Sequence, residues 1–126
     1  MLDIDNFKKI NDTFGHLVGD KVLKTIRRTL LNEARYSDNV IRWGGEEFLI
    51  IVPDAKLKET SVLTERIRKS ICEQVIDEVG QVTASFGIAE LLNNETTASL
   101  INRADKALYR AKISGKNCVK IASKGL

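Results

Sequence analysis

The sequence predicts an α+β domain, with helices packed on a mostly antiparallel sheet, and three observations carry that expectation. Apolar residues fall at helical or strand spacing in segments ordered β, α, α, β, β, α, β, α, β. The uninterrupted apolar run 48–52, FLIIV, has the length and character of a strand buried within a sheet. A glycine-rich link, Gly44-Gly45, joins that run to a shorter strand at 40–43 as a hairpin. At 126 residues, 43% of them hydrophobic, the chain suits one domain with a single core.

Taken in order, residues 1–4 read as the tail of a strand, and Asp5 or Asn6 caps a short helix carrying Phe7, Ile10 and Phe14 on one face. A strand that runs into a helix N-terminus presents free amides and a positive dipole end, a ready seat for phosphate. Asp3, at the strand's end, can hold a metal shared with such phosphates, whereas Asp5 reads as a plain N-cap. Lys8 and Lys9 either serve the phosphates or coat the helix. Asn11 reads as a loop cap and Asp20 as the N-cap of an amphipathic helix over 21–33, with Val22, Leu23, Ile26 and Leu30 inside. His16, the single histidine, is taken as a turn or packing residue.

In the hairpin, two glycines allow φ > 0 and leave no side chain above the turn, so a bulky group can lie against the backbone. Glu46 and Glu47 stand at its rim, and adjacent carboxylates repel unless a cation, most simply Mg²⁺, lies between them. Pro53 and Asp54 then break the strand, and a second amphipathic helix runs from 56 to about 74 through Leu63, Ile67, Ile71 and Val75. Residues 81–91 alternate Val82, Ala84, Phe86 and Ile88, the pattern of a strand with one face in the core. A polar turn at 93–97 caps a helix lined by Leu100, Ile101, Ala104, Leu108 and Ala111. Gly115 suits a left-handed position at that helix's end, ahead of a last strand through Val119 and Ile121.

Composition narrows the ligand. The net charge of +3, spread along the chain, suits a small anion and falls short of a nucleic-acid stripe. No apolar run approaches the roughly 20 residues of a membrane span. Cys72 and Cys118 have neither metal nor disulfide spacing and read as reduced packing residues of a cytoplasmic protein.

The opening MLDIDNFKKINDTFGH, the following Gly19-Asp20 and the hairpin RWGGEEF together resemble the GGDEF family of diguanylate cyclases, in its GGEEF variant, over essentially the whole chain. The resemblance implies a palm-like, ferredoxin-related core shared with nucleotide cyclases and polymerases. It also implies the condensation of two GTP into cyclic di-GMP, with release of two pyrophosphates, across a homodimer with Mg²⁺ or Mn²⁺. On this match Asp3, the Ile4 carbonyl and Glu46 are metal ligands, and Glu47 is a second metal contact or the acceptor of the 3′ hydroxyl proton. Asn11 and Asp20 recognise guanine, whose hydrogen-bonding edge adenine cannot imitate. Phe7, Lys8, Gly44, Gly45, Lys112 and Lys116 complete the substrate contacts, Lys116 replacing the arginine often found there and losing its planar fork. Arg35 and Asp38 match an RxxD inhibitory site for cyclic di-GMP, to which Arg66 adds a further arginine; the reading from the residues alone is a surface salt bridge.

Family members carry a helix and a DxLTGLxNR-like stretch ahead of the strand at Asp3, and only Met1 and Leu2 precede it here. The chain therefore reads as a single GGDEF domain, residues 1–126, that is a catalytic fragment with its first strand cut short. It is expected to be less stable and less active than an N-terminally extended version. Two alternatives stay open: a GGDEF module that binds cyclic di-GMP or GTP without turnover, and a purely structural partner domain.

Overall fold

The computed structural model describes residues 1–124. Its elements are β1 (Leu2–Ile4), α1 (Phe7–Phe14), α2 (His16–Glu33), β2 (Asn39–Arg42), β3 (Glu47–Ile51), α3 (Leu57–Cys72), β4 (Ala84–Ile88), α4 (Thr97–Ile113) and β5 (Val119–Ile121). This is the order read from the sequence. The strands form one sheet, β2-β3-β1-β4-β5, with antiparallel pairing throughout except the parallel β4–β5 edge. The α+β expectation is met.

The three-residue β1 lies in the middle of the sheet, and period-2 alternation sorts its neighbours onto two faces. Leu2 stands opposite Phe48 and Phe86, and Ile4 opposite Ala84. These side chains pack with Phe7 and Ile10 of α1, Val22, Ile26 and Leu30 of α2, and Leu63, Ile67 and Ile71 of α3. Asp3 faces the other way, opposite Glu47 and Ser85, on the side where α4 lies over β4 and β5.

Five sequence expectations change. The strand 81–91 shrinks to Ala84–Ile88, and all five residues are buried, so it is covered on both faces. The reason is Gly87: a Cβ there would collide with the Ala104 carbonyl and the Leu108 amide, so α4 rests directly on the strand's backbone. The second helix starts at His16, not Lys21, because Gly15 at φ 90° lets the chain turn straight out of α1 without a side-chain cap. Asn11 and Asp20 therefore lie within helices and are not caps. α3 ends at Cys72, leaving Val75 exposed. Neither hairpin glycine sits at positive φ; both matter by leaving space, since nothing lies within 4 Å of where a Cβ of Gly45 would be.

α4 closes as expected. Lys116 N donates to the Ala111 carbonyl at 3.1 Å, with Gly115 at φ 110°. That is the bonding of a Schellman cap.

Candidate active site

One part of the site is an open cleft of about 490 Å³ between α1, the start of α2 and the hairpin turn. That is within the ~300–1,000 Å³ usual for small-molecule sites. Phe7, Lys8 and Asn11 line it from α1, Asp20 from α2, and Arg42, Gly45 and Glu46 from the hairpin. Helical spacing puts Phe7 and Asn11 on one face, four residues apart. Asn11 lies across Gly19, where a Cβ would collide with its Oδ1. That oxygen is buried and has no hydrogen-bond partner. A buried acceptor left unpaired costs about 1–3 kcal/mol, a cost that a donor reaching it would recover. Asp20 on the same wall adds an acceptor for N–H groups.

Arg42 braces the turn. Its Nε donates to the Gly44 carbonyl at 3.2 Å and its Nη2 to the Gly45 carbonyl at 2.8 Å, fixing the path of the chain into Glu46. The hairpin shifts one residue from the sequence reading, which places Glu46 in the turn and Glu47 inside β3. Adjacent in sequence, the two acids serve different neighbours: Glu46 borders the cleft, while Glu47 is Asp3's cross-strand partner. The two regions meet where Ile4 N donates to the Glu46 carbonyl at 3.1 Å.

The other part is the acidic end of β1. Lys112, from the last turn of α4, donates to Asp3 Oδ1 at 3.1 Å and Asp5 Oδ1 at 2.9 Å. Lys116 Nζ reaches Asn6 Oδ1 at 2.7 Å, beside the start of α1. Burial pushes the Asp3 carboxyl above the usual range, against the pull of Lys112. Burial first, and the carboxylates of Asp3, Asp105 and Glu46 second, raise Glu47 as well. Asp5 is held below the usual range: its burial is outweighed by hydrogen bonds from Ser85, Lys112 and Thr83. It is no helix cap.

Crowded acids with raised affinity for protons are groups that a divalent cation relieves. Among the described residues no three His, Cys, Asp or Glu side chains converge to enclose a metal by themselves. The donor set fits a hard cation that takes one or two carboxylates plus ligand phosphates, the habit of Mg²⁺.

The remaining sequence-derived residues lie elsewhere. Arg35 donates through Nε and Nη2 to Asp38 Oδ1 at 3.2 and 3.1 Å and through Nη2 to the Pro53 carbonyl at 2.9 Å. Arg66 instead grips Glu33, with Nε 2.7 Å from Oε2. A larger hollow along α4 contains Glu95 and Arg103, which satisfy each other and nearby main chain and leave little for a ligand.

Sequence reasoning missed Arg42, His16 and Leu23 as cleft residues. Arg42 two positions before a glycine pair is a signal for a braced turn; His16 and Leu23 carry none, because their place depends on how α1 meets α2.

The fold is an α+β domain with an open cleft between α1, α2 and the hairpin turn, beside an acidic end of the central strand. Residues 1–118 match the family model described as diguanylate cyclase, GGDEF domain, and the chain belongs to that family. It is 44% identical over 119 residues to diguanylate cyclase DgcM of Escherichia coli K12, covering 94% of this chain and 29% of DgcM. The active GGEEF domain of a Vibrio cholerae diguanylate cyclase superposes with a TM-score of 0.92 at 33% identity, covering 98% of this chain and 81% of that one. The Caulobacter crescentus DgcB GGDEF domain, in complex with c-di-GMP, gives 0.91 at 35% identity, covering 95% and 74%.

Proposed function

We propose that this domain is a diguanylate cyclase, joining two GTP into cyclic di-GMP and releasing two pyrophosphates across a homodimer. The observation that carries the reading is the buried, unpartnered Asn11 Oδ1 held over Gly19 beside Asp20. The cleft of about 490 Å³ has room for a nucleotide base, and Asn11 and Asp20 on its wall supply polar groups suited to reading a base edge. Relatives named diguanylate cyclases support the same reading.

In this mechanism Asn11 and Asp20 read the guanine edge, with Phe7 against the base. Gly44 and Gly45 let the nucleotide lie on the backbone. Lys8, Lys112 and Lys116 hold the triphosphate at the head of α1. Asp3, the Ile4 carbonyl and Glu46 are the ligands for Mg²⁺ or Mn²⁺, which when bound offsets triphosphate charge and acidifies the attacking hydroxyl. Glu47, paired across the strands with Asp3, takes the 3′ hydroxyl proton as that oxygen attacks the α-phosphorus of the other subunit's GTP. The bond from that phosphorus to the β-phosphate oxygen breaks, and pyrophosphate leaves. Repeating the step with the roles reversed closes the ring, so turnover depends on subunit concentration.

A second reading, a module that binds cyclic di-GMP at Arg35, Asp38 and Arg66 without turnover, draws on the preassembled Arg35–Asp38 pair. Incubation with GTP and Mg²⁺, and separately with cyclic di-GMP, followed by chromatography separates the two. Cyclic di-GMP formed from GTP supports the cyclase; cyclic di-GMP bound, with none made from GTP, supports the module; neither rejects both.

A further inference from the structure

Asp5 is only 3% exposed, yet it is charged and lies two residues from Asp3. Its Oδ1 accepts from Ser85 Oγ at 2.7 Å and Lys112 Nζ at 2.9 Å, and its Oδ2 from Thr83 Oγ1 at 2.7 Å and Asn117 N at 3.0 Å. A carboxylate offers about four lone-pair directions, and donors from β4, its approach, α4 and the turn after α4 fill them. Asp5 has no capacity left for a ligand. What it does instead is tie the last turn of α4 and the following turn to the head of α1.

That turn needs the tie. Gly115, Lys116 and Asn117 follow one another at φ 110°, 64° and 47°, and a left-handed conformation disfavours Lys116, while glycine and asparagine tolerate it. The Asn117 N–H bond to Asp5 closes the turn, and from it Lys116 reaches Asn6. Two ammonium groups thus stand beside the start of α1, where Asn6 makes no side-chain capping bond and the first amides are open to an anion.

We infer that Asp5 is a positioning residue for the triphosphate: it fixes Lys112 and the turn bearing Lys116 at the head of α1 without touching the nucleotide. The inference rests on the GTP reading above. A residue that merely staples the fold would, when weakened, affect every ligand alike. One that positions the lysines affects phosphate-rich ligands alone.

The test is calorimetric titration, with Mg²⁺, of wild type and Asp5→Asn with GMP and with the α,β-methylene analogue of GTP. Wild type is expected to prefer the triphosphate. Asp5→Asn should weaken the triphosphate about tenfold, the worth of one charge-assisted contact, and leave GMP within about twofold. Lys112→Met should lose a similar factor, and the double variant no more than either single one. If Asp5→Asn fails to fold, Ser85→Ala, which loosens Asp5 but keeps its charge, should lower the triphosphate-to-GMP ratio about threefold. An unchanged ratio in the folded variant overturns this inference alone. Wild type that binds neither ligand overturns it together with the GTP reading.

Discussion

In the cleft, the Asn11 amide oxygen is buried without a partner; at the end of β1, the Lys112 ammonium is shared between two carboxylates. A ligand whose donor reaches that oxygen adds a hydrogen bond where there was none and recovers the cost of an unpaired acceptor. A ligand arriving at β1 must exchange partners with groups already satisfied, so the net gain is smaller and depends on a cation to relieve the acids. On the proposed function, base selectivity would belong to the first region and charge matching to the second.

The contrast can be broken at several points. The largest effect is expected from Glu46→Gln, which would remove a proposed metal ligand at the junction of the two regions: turnover should fall at least about a hundredfold, read as cyclic di-GMP by chromatography at saturating GTP. Normal turnover would remove Glu46 from the chemistry.

Next is Gly19→Ala. In a helix interior this change ordinarily stabilises by about 0.5–1 kcal/mol, but here the methyl displaces the Asn11 side chain. The melting temperature should hold or rise while KM for GTP rises about tenfold and discrimination against ATP weakens. Unchanged KM and selectivity would show that Asn11 does not read the base.

Arg35→Ala probes a pair resembling the β1 end, internally satisfied and free to exchange. Product inhibition should weaken about tenfold while initial synthesis is spared, measured as rate against added cyclic di-GMP. Inhibition identical to wild type would assign Arg35 to the surface alone.

The smallest effect comes from a pair with no exchange to make. Arg103 holds the Glu95 carboxyl down from 4.5 to about 2. Between those values the folded state binds fewer protons than the unfolded one, so this contribution is complete above 4.5 and fades as pH falls toward about 2. Thermal unfolding across that window should show a gentler acid loss in Glu95→Gln, with or without nucleotide. Equal slopes would deny the pair a role in stability.

The fold was legible because apolar periodicity survives wherever a strand or helix has one buried side. It failed at β4, where Ser85 and Gly87 look like an outward face and are buried beneath α4. It failed again at the start of α2, where a glycine replaces the usual capping side chain. Of the site residues that the family resemblance implies, Lys8, Asn11, Asp20 and Glu46 line one cleft, whereas the residues alone read Asn11 and Asp20 as caps. Asp5 was misread because a carboxylate before a helix looks like a cap, and its four donors come from positions far along the chain. Long-range bonds of that kind leave no local pattern.

Gly87 sets a limit on how this domain can be controlled. With helix backbone seated against strand backbone there, α4 has no room to slide or tilt inward, and a larger residue at that position would wedge the layers apart. Lys112 in its last turn and Lys116 just beyond are thus carried on a firmly seated mast. A signal that acts by bending the domain would meet its closest-packed line here.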